Sequence, residues 1–122
     1  MKRFLLSLVM IMLVGCSNSK DLYKTITGEE VKGLINNNEV TIIDVRSSSE
    51  YEVKHIEESI NIPLDTISKS ELENVVDNYE SSIVVYCQSG NRSKQAVELL
   101  NNLGYTNVYD LGSIDNWSNT NE

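Results

Sequence analysis

The chain has 122 residues, with 18 acidic side chains against 10 basic ones and a formal charge of −8. That length suits one domain around a single core. The acidic balance argues against nucleic acid and anionic lipid surfaces as partners, so any anion site must be built locally.

The N-terminus reads as a targeting segment. Met1-Lys2-Arg3 is basic and Phe4 to Val14 is apolar apart from Ser7, the pattern of a secretory signal peptide. The run falls short of the roughly 20 apolar residues of a membrane span. Leu13-Val14-Gly15-Cys16 resembles the bacterial lipobox, whose cysteine is lipidated and becomes the new N-terminus. The competing reading is an ordinary signal peptide with a chance cysteine. The lipobox reading predicts a signal peptide over 1–15, a lipidated Cys16 and tether over 16–22, a folded domain over 23–118 and a polar tail over 119–122. It predicts an extracytoplasmic protein held on a bacterial membrane by its lipid. Loss of Lys2 and Arg3 takes the charge from −8 to −10. Cys87 then has no intramolecular partner, which excludes a dithiol oxidoreductase and a disulfide scaffold. It is either an inert buried thiol or a reactive one that works alone.

Along the chain, Tyr23 to Ile26 reads as a short strand. Thr27-Gly28-Glu29-Glu30 is a capping-box pattern with Thr27 as N-cap. Val31, Leu34 and Ile35 follow at helical spacing, and Asn36-Asn37-Asn38 ends that helix. Val40 to Val45 is a mostly β-branched buried strand that runs into Asp44-Val45-Arg46. Glu50 to Ile56 suits a helical turn, and Ser59 to Ile62 is a third strand stopped by Pro63. Ser70 to Tyr79 places Leu72, Val75, Val76 and Tyr79 on one helical face. Ser82 to Tyr86 is a fourth strand, and Lys94 to Leu103 a helix stopped by Gly104. Asn107 to Leu111 is a fifth strand, and a turn around Asp115-Asn116-Trp117 follows. Strands alternating with helices predict a parallel sheet with helices on both faces.

Cys87 stands at the carboxyl end of the fourth strand, where open parallel sheets form their sites. Gln88, Ser89, Gly90, Asn91 and Arg92 follow, and the helical pattern starts at Ser93. Gly90 can take a left-handed conformation, and a small polar loop can turn successive N–H groups inward as an anion nest. The next helix adds its N-terminal N–H groups and dipole, and Arg92 adds a positive charge. All three favour thiolate over thiol, so the pKa of Cys87 is expected to fall. Such a nucleophile needs no general base, and no metal or organic cofactor is expected. Asp44 and Arg46 are candidate supporting residues facing the loop, with a structural ion pair as the preferred reading. His55 and Trp117 read as structural.

These stretches meet a known family. "IIDVRSSSEYEVKHIEESINIPL", Ile42 to Leu64, resembles the rhodanese-like signature of Asp-Val-Arg, Glu-Tyr, His-Ile and Asn-Ile-Pro. "VVYCQSGNRS" resembles its active-site loop, and "AVELLNNLGYTNVYDLGSIDNW" its C-terminal stretch. The resemblance runs from Tyr23 to Trp117. It implies an α/β fold with a central parallel five-stranded sheet flanked by helices on both faces. It implies that Cys87 takes a sulfane sulfur from a donor such as thiosulfate, becomes a persulfide, and passes the sulfur to cyanide or a thiol. Backbone N–H groups from Gln88 to Ser93 would form the cradle, and Arg92 would attract a small anionic donor. The acceptor would be a thiol or a partner protein, and the chain a monomer.

The rival readings are a persulfide relay or binding module without turnover, and a phosphatase or arsenate reductase. Family loop length argues against the latter pair, because cysteine phosphatases place arginine six positions after the nucleophile and here Arg92 is five after Cys87. Two departures stand out. Lys54-His55-Ile56-Glu57-Glu58-Ser59 replaces the frequent Gly-His-Ile-Pro-Gly-Ala, and Gly112-Ser113 replaces Gly-Gly. The serine is expected to restrict the backbone near the pocket mouth.

Overall fold

The computed structural model describes residues 23–118. The expected signal peptide, lipidated Cys16, tether and polar tail lie outside the described residues. The strands are β1 (Lys24–Thr25), β2 (Thr41–Asp44), β3 (Ile60–Asn61), β4 (Ile83–Cys87) and β5 (Val108–Ser113). They form one sheet in the order β1-β5-β4-β2-β3, with every pair parallel. The helices are α1 (Gly28–Asn36), α2 (Ser48–Val53), α3 (Lys69–Val75), α4 (Asn91–Asn102) and α5 (Asp115–Ser118), with a 3₁₀ turn at Leu64–Thr66. This is the expected α/β fold.

All of β4 is buried, as befits the central strand. A strand sends alternate side chains to opposite faces. Ile83, Val85 and Cys87 therefore join Ile43, Leu72, Ala96, Val97 and Leu100 in one core. Val84 and Tyr86 join Val31, Ile42, Ile56 and Leu111 in the other. Helices α3 and α4 supply the cover of the first core, and α1 and α5 that of the second.

Local signals explain several boundaries. Thr27 caps α1 as expected: its hydroxyl accepts from Glu30 N–H at 3.1 Å, and the Glu30 carboxylate accepts from Thr27 N–H at 3.0 Å. Other boundaries differ from the sequence reading. Helix α2 starts at Ser48, before the expected Glu50, because Ser47 and Glu50 form a second capping box. Helix α3 stops at Val75, with Val76 already extended at φ −124° and ψ 132°. Tyr79 lies beyond it, its carbonyl accepting from Thr106 N–H at 3.0 Å and its ring 4.8 Å from that of Tyr105. Tertiary packing, not helical spacing, accounts for that apolar position. Helix α4 starts at Asn91, so Asn91, Arg92 and Ser93 form its first turn and do not extend the loop.

One irregularity positions the site. Pairing between β4 and β5 slips after Val85, which faces Asp110 while Tyr86 faces Gly112. The extra residue, Leu111, makes a bulge. Gly112 follows at φ +85°, and a Cβ there would come within 3.2 Å of Asn116 Nδ2, which donates to Leu111 O at 2.6 Å. The slip sets Ser113 opposite Cys87.

Candidate active site

Cys87 is the last residue of β4 and is fully buried. Gly90, at φ 103° and ψ −11°, is the N-cap of α4. This left-handed turn, which glycine adopts without a Cβ clash, bends the chain back over the sulfur. Gly90 N–H then donates to Sγ at 3.0 Å and Ser93 N–H donates to it at 3.3 Å. Of the amides expected from Gln88 to Ser93, these two bond the sulfur. Two backbone N–H donors point at Sγ, with the N-terminus of α4 behind them, an arrangement that would suit an anionic sulfur.

The loop is tied from several sides. Ser93 Oγ donates to Gly90 O at 3.2 Å, and Ile114 N–H donates to Cys87 O at 2.8 Å. Ser113 Oγ donates to Gln88 O at 2.7 Å and accepts from Asp115 N–H at 3.0 Å. The serine that replaces glycine thus anchors the first loop residue. The side chains of Gln88, Ser89 and Asn91 are exposed.

Asp44 and Arg46 form a buried pair. Arg46 Nη2 lies 2.7 Å from Asp44 Oδ2, and Nε lies 3.0 and 3.1 Å from the two carboxylate oxygens. Asp44 also accepts from Arg46 N–H at 2.9 Å. Beyond the pair, Arg46 donates to Lys54 O at 2.6 Å and to Gln88 Oε1 at 3.2 Å. Its guanidinium stands 5.7 Å from the Tyr86 ring centroid. The hydrogen bonds to Asp44 hold the pKa of Arg46 above its ordinary value. The pair therefore joins β2, the end of α2 and the loop, and its contact with the loop runs through Gln88.

Arg92 lies in the first turn of α4 and forms a two-pronged pair with Glu50 at 2.9 and 3.1 Å. Its side chain is 36 % exposed and that of Glu50 is 35 % exposed. The Arg92 guanidinium, followed by Ser47 N–H, holds the Glu50 carboxyl down at about 2. Arg92 is in turn raised, chiefly by Glu50, with a smaller contribution from the Cys87 sulfur. A cation at a helix N-terminus is unfavourable, and Glu50 offsets that cost. Sequence reading assigned Glu50 no role at the site. Its available signal was the capping pattern Ser47-x-x-Glu50, whereas the bond to Arg92 spans 42 residues.

A cleft of about 510 Å³ opens between Ser47–Ser48 and Pro63–Thr66 and reaches Arg92. His55 is exposed; its Nδ1 is 2.7 Å from Tyr51 O, and its ring stacks on Tyr51 at 3.7 Å. Trp117 packs against the second core, with Lys32 Nζ 5.2 Å from its ring centroid. Among the described residues, no three His, Cys, Asp or Glu side chains gather to hold a metal ion. No helix among them is long and apolar enough to cross a membrane.

Comparison with known proteins gives this geometry a family. Thiosulfate sulfurtransferase PspE of Escherichia coli K12 is 38 % identical over 72 residues, 59 % of this chain and 68 % of its own. A tRNA uridine(34) hydroxylase of Photorhabdus laumondii is 34 % identical over 86 residues, 68 % of this chain, but these are 24 % of that longer protein. Among solved structures, the human single-domain sulfurtransferase TSTD1 covers 80 % of this chain and is itself covered over 97 %, with a TM-score of 0.70 at 24 % identity. A rhodanese with anions from E. coli covers 63 %, is itself covered over 89 %, and scores 0.59 at 34 % identity. The family model described as the rhodanese-like domain matches residues 27–120. The chain belongs to the rhodanese-like domain family.

Proposed function

We propose that this chain is a sulfurtransferase in which Cys87 is both nucleophile and sulfur carrier. The observation that carries the reading is the pair of backbone N–H donors, from Gly90 and Ser93, on the sulfur of a cysteine at a strand end. In the first step the Cys87 thiolate attacks the outer sulfur of a donor such as thiosulfate. The donor's S–S bond breaks, and sulfite leaves with the electron pair. The product is a Cys87 persulfide anion, held by the same N–H donors. In the second step cyanide or a thiolate takes the outer sulfur and returns the Cys87 thiolate. Neither step needs a base, which accords with His55 being engaged with Tyr51.

Burial of Cys87 favours a small terminal atom as the point of attack. The relative named thiosulfate sulfurtransferase supports the same chemistry. The longer relatives named hydroxylases share only this domain, so their whole-protein activity is not carried over.

The test is the intact mass of the reduced, folded protein before and after thiosulfate. We expect a gain of one sulfur atom, removed by cyanide and absent in Cys87→Ser. A Cys87→Ser protein that still forms thiocyanate refutes the assignment. Aryl phosphate hydrolysis that depends on Cys87, without sulfur loading, would move the reading to a phosphatase.

A further inference from the structure

Arg92 is the cation that the sequence sets beside the nucleophile, yet both prongs of its guanidinium are held by Glu50. The second arginine near the loop, Arg46, is matched by Asp44. Asp65 lines the same cleft as Arg92. Asp44, Arg46, Glu50, Asp65 and Arg92 together carry one net negative charge. They stand in a chain of formal charge −8. A thiosulfate dianion approaching this mouth meets no uncompensated cation from that set, and the surrounding field opposes it.

We propose that Glu50 sets donor selectivity: by neutralising Arg92, it favours sulfane-sulfur donors of low negative charge, borne on an organic group, over dianionic thiosulfate. This rests on the sulfurtransferase reading above. For an organic thiosulfonate the step balances without oxidant or proton. The Cys87 thiolate bonds to the outer sulfur, the S–S bond breaks, and the organic sulfinate leaves with the electron pair. Two negative charges enter and two remain, one on the persulfide and one on the sulfinate. Glu50 acts through Arg92, so it is a positioning residue.

Methanethiosulfonate is the discriminating probe. It has the shape of thiosulfate, with a methyl group in place of one oxygen and one charge fewer. In the native protein, kcat/KM for thiosulfate rises roughly twofold as salt goes from about 10 to about 200 mM, because screening weakens a net repulsion. A free Arg92 would give the opposite slope. In Glu50→Gln the glutamine still accepts from Ser47 N–H and preserves the α2 cap. There the ratio of kcat/KM for thiosulfate to that for methanethiosulfonate rises roughly threefold at low salt, and the shift shrinks at high salt.

A native-protein kcat/KM for thiosulfate that falls with salt overturns the proposal, and this result needs no variant. A folded Glu50→Gln protein with an unshifted ratio at low salt also overturns it, while sulfur loading of Cys87 leaves the enzyme reading standing. Failure of both donors to add sulfur to native Cys87 removes the sulfurtransferase reading and this inference with it.

Discussion

Replacing Arg46 by methionine strands a buried carboxylate. Asp44 has no exposed surface and Arg46 is 3 % exposed. The substitution removes the guanidinium bonds from both carboxylate oxygens and keeps the backbone N–H of residue 46 on Asp44 Oδ1. It also frees Lys54 O and Gln88 Oε1. An exposed ion pair contributes about 0–1 kcal/mol. Breaking a buried one from one side costs about 3–5 kcal/mol, because the remaining charge is unpaired. Against a typical domain stability of about 5–15 kcal/mol, that is a large share. In a domain of this size it lowers Tm by roughly 15 °C or more. Urea unfolding followed by far-UV circular dichroism at neutral pH measures it. Adding Asp44→Asn to Arg46→Met removes the stranded charge while keeping an acceptor for the backbone N–H. The double variant should recover at least about 2 kcal/mol of the loss. A single-variant cost below about 1 kcal/mol, or no recovery in the double variant, would refute the reasoning.

Tyr86→Phe leaves Ile56 N–H without the hydroxyl that accepts it at 3.0 Å and strips Ser59 Oγ of its 2.9 Å partner. It should cost about 1–3 kcal/mol at neutral pH. Burial pushes the Tyr86 phenol up to about 12 from 10.0. A raised folded-state pKa means that this contribution is complete below pH 10 and is lost as pH rises from 10 towards 12. Urea midpoints across that window should fall less steeply in Tyr86→Phe; an unchanged slope would count against the assignment. Gly90→Ala places a Cβ at φ +103°, where no heavy atom lies within 4 Å of it. Its cost is therefore backbone strain of about 1–2 kcal/mol. Because Gly90 also donates to Sγ, the rate of sulfur loading by intact mass should drop roughly tenfold, and an undiminished rate would show that the turn does not aim its N–H at the reacting sulfur.

Much of the architecture follows from local rules. The β-branched runs at Ile42–Ile43 and Ile83–Val85, the Thr27 capping box and the alternation of strand and helix determine a parallel α/β fold. Cys87 before a glycine-containing polar loop marks the place of the proposed nucleophile, because a strand end followed by a helix start puts the sulfur among N–H donors. Where α4 starts is less legible, since helical apolar spacing first shows several residues inside it. Tyr79 misleads for the opposite reason: it matches a helical face but packs against Tyr105 through the tertiary fold.

The charge state of the mouth is decided only in three dimensions. In the sequence Arg92 is a cation five residues after Cys87, and Glu50 is an acid in a capping box. Folding brings α2 beside the first turn of α4 and converts the two into one neutral pair. Likewise the Leu111 bulge, not the composition of β5, sets Ser113 opposite Cys87 and its hydroxyl on Gln88 O. Strand, turn and cap signals act over a few residues, so the sequence carries them directly. Coulomb pairs and register slips depend on which distant segments become neighbours, and that is settled by the packing of the whole sheet and its helices.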